Sequence, residues 1–114
     1  TSIEKIFGNI VSMSELAKAN KIKVILCSVL PVYEYSWSPG LEPAGKIIKL
    51  NAMLQAYCKE NKLVYVDFHS ALADEKMGMK AEYSPDGVHP NLEGYKVMDK
   101  LVEEAIARSL KMKK

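Results

Sequence analysis

No apolar run in this chain is long enough to cross a bilayer, and no secretory signal peptide opens it. Cysteine is scarce. Cys27 and Cys58 show neither CxxC nor metal-ligand spacing, and both are expected to be small buried hydrophobes. A surplus of one charge is missing too: the net charge is +2, and the lysines are dispersed apart from a terminal KMKK that suits a helix C-terminus. Without a basic face interleaved with aromatics, nucleic acid is not expected as a partner, and neither is a membrane. Internal repeats and low-complexity linkers are absent. The initiator Met is missing as well, so the chain is expected to begin partway through a larger protein.

What remains is the composition of one globular domain, 48% hydrophobic and 26% charged, in a chain long enough to bury a core without disulfide or metal staples. Ile3, Ile6, Phe7, Ile10, Met13 and Ala17 recur at helical spacing, with Thr1 and Ser2 as possible N-caps and ANK as the close. KVILCSVLP, 23–31, is a continuous apolar run of the kind that forms a strand buried on both faces of a parallel sheet. After a loop over 32–45, a second helix is expected from about Ala44 to Asn61, then a shorter apolar strand over 62–68. HSALADE suits a helical turn, and a last helix runs from Pro90 or Asn91 to about Leu110. The order α-β-α-β-α implies parallel pairing through a crossover helix. Two strands are nevertheless too few to be covered by three helices, so the chain reads as half of a doubly wound α/β domain.

Chemistry concentrates in YSPDGVHPNLEGY, 83–95, where Asp86 and His89 stand in a turn ahead of the last helix, at the expected carboxyl edge of the sheet. A general-base histidine needs one ring nitrogen for the reacting proton and an acceptor on the other to fix its tautomer. A two-residue gap containing Gly87 lets Asp86 be that acceptor, while Pro90 stiffens the exit into the helix. Spacing alone favours a plainer role, in which Asp86 closes a turn and His89 caps the helix, because Asp-Gly is common turn chemistry.

PDGVHPNLEGY resembles the C-terminal block of the GDSL-type esterases and lipases, the SGNH hydrolases: an Asp, two residues, a His, then Pro, Asn and a downstream Gly-Tyr. KVILCSVLPV and LVYVDFHSAL are similar to that family's later strands, so the likeness spans essentially the whole chain. It implies a three-layer, doubly wound parallel sheet (a flavodoxin-like SGNH hydrolase fold) of which residues 1–114 form the C-terminal half. It also implies serine-dependent hydrolysis of a small carboxylic ester, such as an acetylated sugar or lipid-like ester, with Asp86 and His89 as triad members and no cofactor. The blocks that carry the nucleophile and the oxyanion hole are lacking, so the expected partner is the missing N-terminal half or a second copy, and the isolated fragment should be inactive. Only the resemblance bears on compartment, and it leans outside the cytoplasm. The alternative is a non-catalytic α/β fragment or binding module with a structural DGVHP turn.

Three serines could be considered as local nucleophiles, Ser28, Ser70 and Ser84, but none sits in a Gly-x-Ser-x-Gly elbow. Asp67 and His69 form a second acid–histidine pair, read as a cap of the following turn and a surface or lining residue. Two histidines without ligand spacing give no metal site. In VYEYSWSPG, the aromatic residues Tyr33, Tyr35 and Trp37 leave the first strand's carboxyl end, where they could line a substrate cleft or cover apolar core.

Overall fold

A computed structural model describes residues 2–33 and 43–112, arranged as α1 (Ile3–Ala19), β1 (Ile25–Cys27), α2 (Pro43–Asn61), β2 (Val64–Val66), α3 (Phe68–Leu72) and α4 (Leu92–Lys111). Ser2 caps α1 by accepting the Lys5 N–H at 3.1 Å. α1 and α2 stop the same way: each runs out through an Asn-Lys step whose lysine, Lys21 (φ 60°) or Lys62 (φ 57°), takes the left-handed conformation that turns a chain out of a helix.

β1 and β2 pair in parallel, with Ile25 opposite Val64, Leu26 opposite Tyr65 and Cys27 opposite Val66. Alternate side chains of β2 leave opposite faces of the sheet. Val64 and Val66 join Phe68, Leu72, Met79 and Ala105 in the core beneath α4, with Val97, Met98, Leu101 and Val102 packed against it. Tyr65 points the other way, its hydroxyl donating to the Asn51 carbonyl of α2 at 3.5 Å. Helix, sheet and helix therefore make three layers. α1 lies on α2, where Phe7 and Tyr57 meet edge to face with centroids 6.0 Å apart.

The ladder is shorter than the apolar runs over 23–31 and 62–68 suggest. β2 ends because Asp67 caps α3, accepting the Ser70 N–H at 3.0 Å. β1 runs out with β2: the Ser28 N–H still reaches the Val66 carbonyl at 2.8 Å, and beyond it the Val29 N–H and carbonyl bond to the Asn51 side chain. Burial also differs from expectation. β2 is enclosed, but β1 is half-buried and Cys27 is exposed. Among the described residues only β2 pairs with β1, so no strand of theirs covers its far side. Cys58 is buried as expected, its thiol 3.9 Å from the Val64 carbonyl, and burial raises its pKa to about 11. Two apolar residues of α1 remain uncovered, Met13 at 62% and Leu16 at 66% exposed.

Chain direction fixes which end of the sheet carries chemistry. Lys23, just before β1, donates through Nζ to the carbonyls of Ser109 (2.8 Å) and Met112 (3.0 Å), so the C-terminal end of α4 lies at the amino edge of the strands. The N-terminus of α4, with the loop that precedes it, consequently lies at the carboxyl edge. That loop is seated by Gly94. A Cβ there would fall 2.8 Å from the Tyr83 carbonyl oxygen and 3.1 Å from the Pro90 Cβ. Gly94→Ala gains helix propensity but must displace backbone, so it is expected to destabilise the protein by about 1–3 kcal/mol in chemical denaturation.

Candidate active site

Residues 84–90 form a loop closed at its neck. The Asn91 N–H donates to the Tyr83 carbonyl at 2.8 Å, and the Asn91 carboxamide donates to the Glu82 carbonyl at 3.1 Å. The same side chain caps α4, its Oδ1 accepting the Gly94 N–H at 2.9 Å. One residue thus ties the loop to the helix start.

Inside the loop, Asp86 divides its two oxygens. Oδ1 accepts the backbone N–H groups of Val88 and His89, both at 2.8 Å, which closes the turn. Oδ2 lies 2.8 Å from His89 Nδ1. The plain role of a turn-closing aspartate and the role of an imidazole partner are therefore both filled, by different atoms of one carboxylate. His89 does not cap the helix; Asn91 does. Gly87, at φ 78°, supplies the left-handed step between acid and base. Ser84 is buried at the centre, its Oγ accepting the Gly87 N–H at 2.9 Å and lying 2.8 Å from the His89 carbonyl and 3.1 Å from Asp86 Oδ1. Its hydroxyl proton can serve either acceptor, and the residue belongs to the turn.

The hydrogen bond to the His89 side chain holds the Asp86 carboxyl well below the usual carboxylate range, helped by the backbone N–H groups of His89 and Val88. Asp86 is an anion throughout the neutral range. An anion on Nδ1 fixes the proton there and leaves proton transfer to Nε2, the arrangement a general base requires. The side chains of His89 and Asp86 are 71% and 44% exposed, so the pair faces outward at the carboxyl edge.

Asp67 and His69 do not pair. The Asp67 carboxylate takes the Ser70 N–H and the Ser70 hydroxyl, the latter at 2.5 Å. His69 sits half-buried in α3, its N–H bonded to Ser28 Oγ at 2.9 Å and its Nε2 buried with no hydrogen-bond partner. Ser28 and Ser70 are accordingly engaged in holding the strand ends. Among the described residues no three His, Cys, Asp or Glu side chains converge as metal ligands. Tyr33 is exposed at the exit of β1, held against the 73–79 loop because Gly78 has no Cβ; one would meet the Tyr33 Cβ at 2.9 Å. Tyr35 and Trp37 lie outside the described residues. A cavity of about 530 Å³ lined by Lys18, Ile22, Lys23, Val24 and Lys62 lies at the amino edge, away from His89.

The loop hub Ser84 and the neck at Asn91 were not legible as such. An Asn ahead of an apolar-periodic run signals an N-cap, which finds Asn91 but not its second bond.

The family model for GDSL-like lipases and acylhydrolases matches residues 1–97. The chain belongs to that family. A GDSL-like lipase from Bacteroides thetaiotaomicron VPI-5482 superposes with a TM-score of 0.91 at 45% identity, over 96% of this chain and 54% of that one. A candidate acylhydrolase from Bacteroides fragilis NCTC 9343 gives 0.93 at 45% identity, over 97% and 54%. A candidate lipolytic protein of the G-D-S-L family from Desulfitobacterium hafniense DCB-2 gives 0.75 at 25% identity, over 92% and 56%. The chain thus spans about half the length of these structures. No curated protein matches it. The fold is the parallel α/β fold of GDSL hydrolases, represented by part of the domain.

Proposed function

We propose that residues 1–114 are the C-terminal portion of a single SGNH hydrolase domain, and that the whole domain hydrolyses small carboxylic esters with a serine nucleophile supplied from outside this chain. The observation that carries the reading is the 2.8 Å contact between Asp86 Oδ2 and His89 Nδ1 in an outward-facing loop at the carboxyl edge.

His89 Nε2 takes the proton of the attacking serine hydroxyl as its oxygen bonds to the ester carbonyl carbon. The tetrahedral intermediate then collapses, the C–O bond to the alcohol breaks, and the imidazolium returns its proton to the leaving alkoxide. Water repeats the sequence on the acyl-enzyme: His89 accepts a water proton, the acid is released and the serine is reprotonated. Asp86 stays ionised throughout, stabilising the imidazolium and holding the ring. No cofactor is called for. Tyr33, exposed at the exit of β1, would offer an aromatic face to an acetylated sugar or a lipid-like acyl group.

A fluorophosphonate probe on the full-length protein tests this reading. The label is expected on one serine outside residues 1–114, mapped by peptide mass spectrometry. Labelling of Ser28, Ser70 or Ser84 would overturn the claim that the nucleophile comes from outside this chain, and no labelling at all would remove the serine-hydrolase assignment and leave a binding module.

A further inference from the structure

In a parallel strand the N–H and C=O of one residue point to the same side, and successive residues alternate sides. The Ser28 N–H bonds to the Val66 carbonyl at 2.8 Å, so the peptide groups of Ile25, Cys27 and Val29 turn away from β2. Those of Val29 are already taken. Its N–H donates to Asn51 Oδ1 at 2.7 Å and its carbonyl accepts from Asn51 Nδ2 at 3.1 Å. A carboxamide offers one acceptor and one donor at the spacing a strand would, so the buried Asn51 mimics a strand at this single position. Ile25 and Cys27 have no such substitute on their outer side among the described contacts.

We infer that Asn51 is a strand terminator: one further parallel strand, from the rest of the same domain, seats on the outer edge of β1, pairs with Ile25 and Cys27, and is stopped at Val29. This rests on the reading that the chain is part of a larger domain. The occupant belongs to the same domain because the matched structures are each almost twice as long as this chain. Cys27, on the edge strand itself, is exposed, as an apolar position awaiting a neighbouring strand would be. Because the carboxamide blocks pairing at Val29, the new strand must leave β1 at that point. A crevice then opens at the carboxyl edge, the edge that carries His89 and where open α/β sheets seat their ligands. Asn51 is a positioning residue: it touches no reacting atom but sets where the sheet opens.

Amide hydrogen exchange on the full-length protein tests the assignment without using hydrolysis, so its outcome is independent of whether His89 is catalytic. In the wild type, the Ile25 and Cys27 amides should exchange slowly in a monomer. Asn51→Leu should speed exchange at Val29 by about tenfold, the effect of losing one hydrogen bond, and leave Ile25 and Cys27 slow. Asn51→Asp keeps the acceptor and should keep Val29 slow. Unchanged exchange at Val29 in Asn51→Leu would overturn the proposal, as would fast exchange at Ile25 and Cys27 in the wild type, or protection there that vanishes on dilution and so belongs to a second copy. Should the variants fail to fold, a through-hydrogen-bond coupling in the wild type decides. Coupling from the Val29 amide to the Asn51 carboxamide carbon supports the terminator, and coupling to a backbone carbonyl overturns it.

Discussion

His89→Ala in the full-length protein is expected to lower kcat for an aryl acetate by about 10⁶-fold, the loss that follows removal of the base from a triad acting as a unit. The fold should survive. The His89 side chain is exposed, and its backbone bonds to Asp86 and Ser84 do not need the imidazole. Asp86→Asn should cost less, on the order of 10⁴-fold, because an imidazole remains in place. An asparagine oxygen can still accept from Val88 and His89, so the turn persists. Its amide, however, offers N–H rather than an acceptor to Nδ1, which drives the ring proton to Nε2 and removes the base. Near-UV circular dichroism separates loss of chemistry from loss of structure. Near-wild-type turnover of p-nitrophenyl acetate by both folded variants would sink the catalytic assignment.

The order and type of the main elements were readable because each rests on local pattern. The apolar residues of α1 recur at helical spacing, the two strands are uniformly apolar, and Pro90-Asn91 marks the start of α4. The acid–base pair was readable for a similar reason: a two-residue gap with a glycine inside it leaves few ways for Asp86 to miss His89. Burial was not readable at β1, since an apolar residue such as Cys27 is enclosed only when a neighbouring strand exists to enclose it. Nor was Asn51, whose meaning lies in bonds 22 residues away along the chain. Periodicity shows which face of a helix is apolar; it does not show that one carboxamide on that helix ends a ladder. The same limit hides Ser84, an ordinary turn serine by composition and the centre of the His89 loop by contact.

The isolated 114-residue chain, purified alone, is expected to show no hydrolysis of p-nitrophenyl acetate above buffer and to self-associate in light scattering. Asp86 and His89 are present and joined, but under the proposed mechanism they only pass a proton between groups that the described residues do not bring to them. None of Ser28, Ser70 and Ser84 is set up as a nucleophile. The first receives the His69 N–H, the second bonds to Asp67, and the third lies buried in the turn it stabilises. An imidazole without a nucleophile or oxyanion donors gives weak general-base assistance to water at best. Association follows from the edge. Among the described residues the outward N–H and C=O groups of Ile25 and Cys27 form an unpaired ladder, and a second copy can satisfy it. Raising the concentration should therefore raise the apparent mass without raising activity, because two copies bring two acid–base pairs and still no nucleophile. A monomer that hydrolyses p-nitrophenyl acetate and loses that activity on His89→Ala would overturn the claim that the working site needs residues beyond this chain.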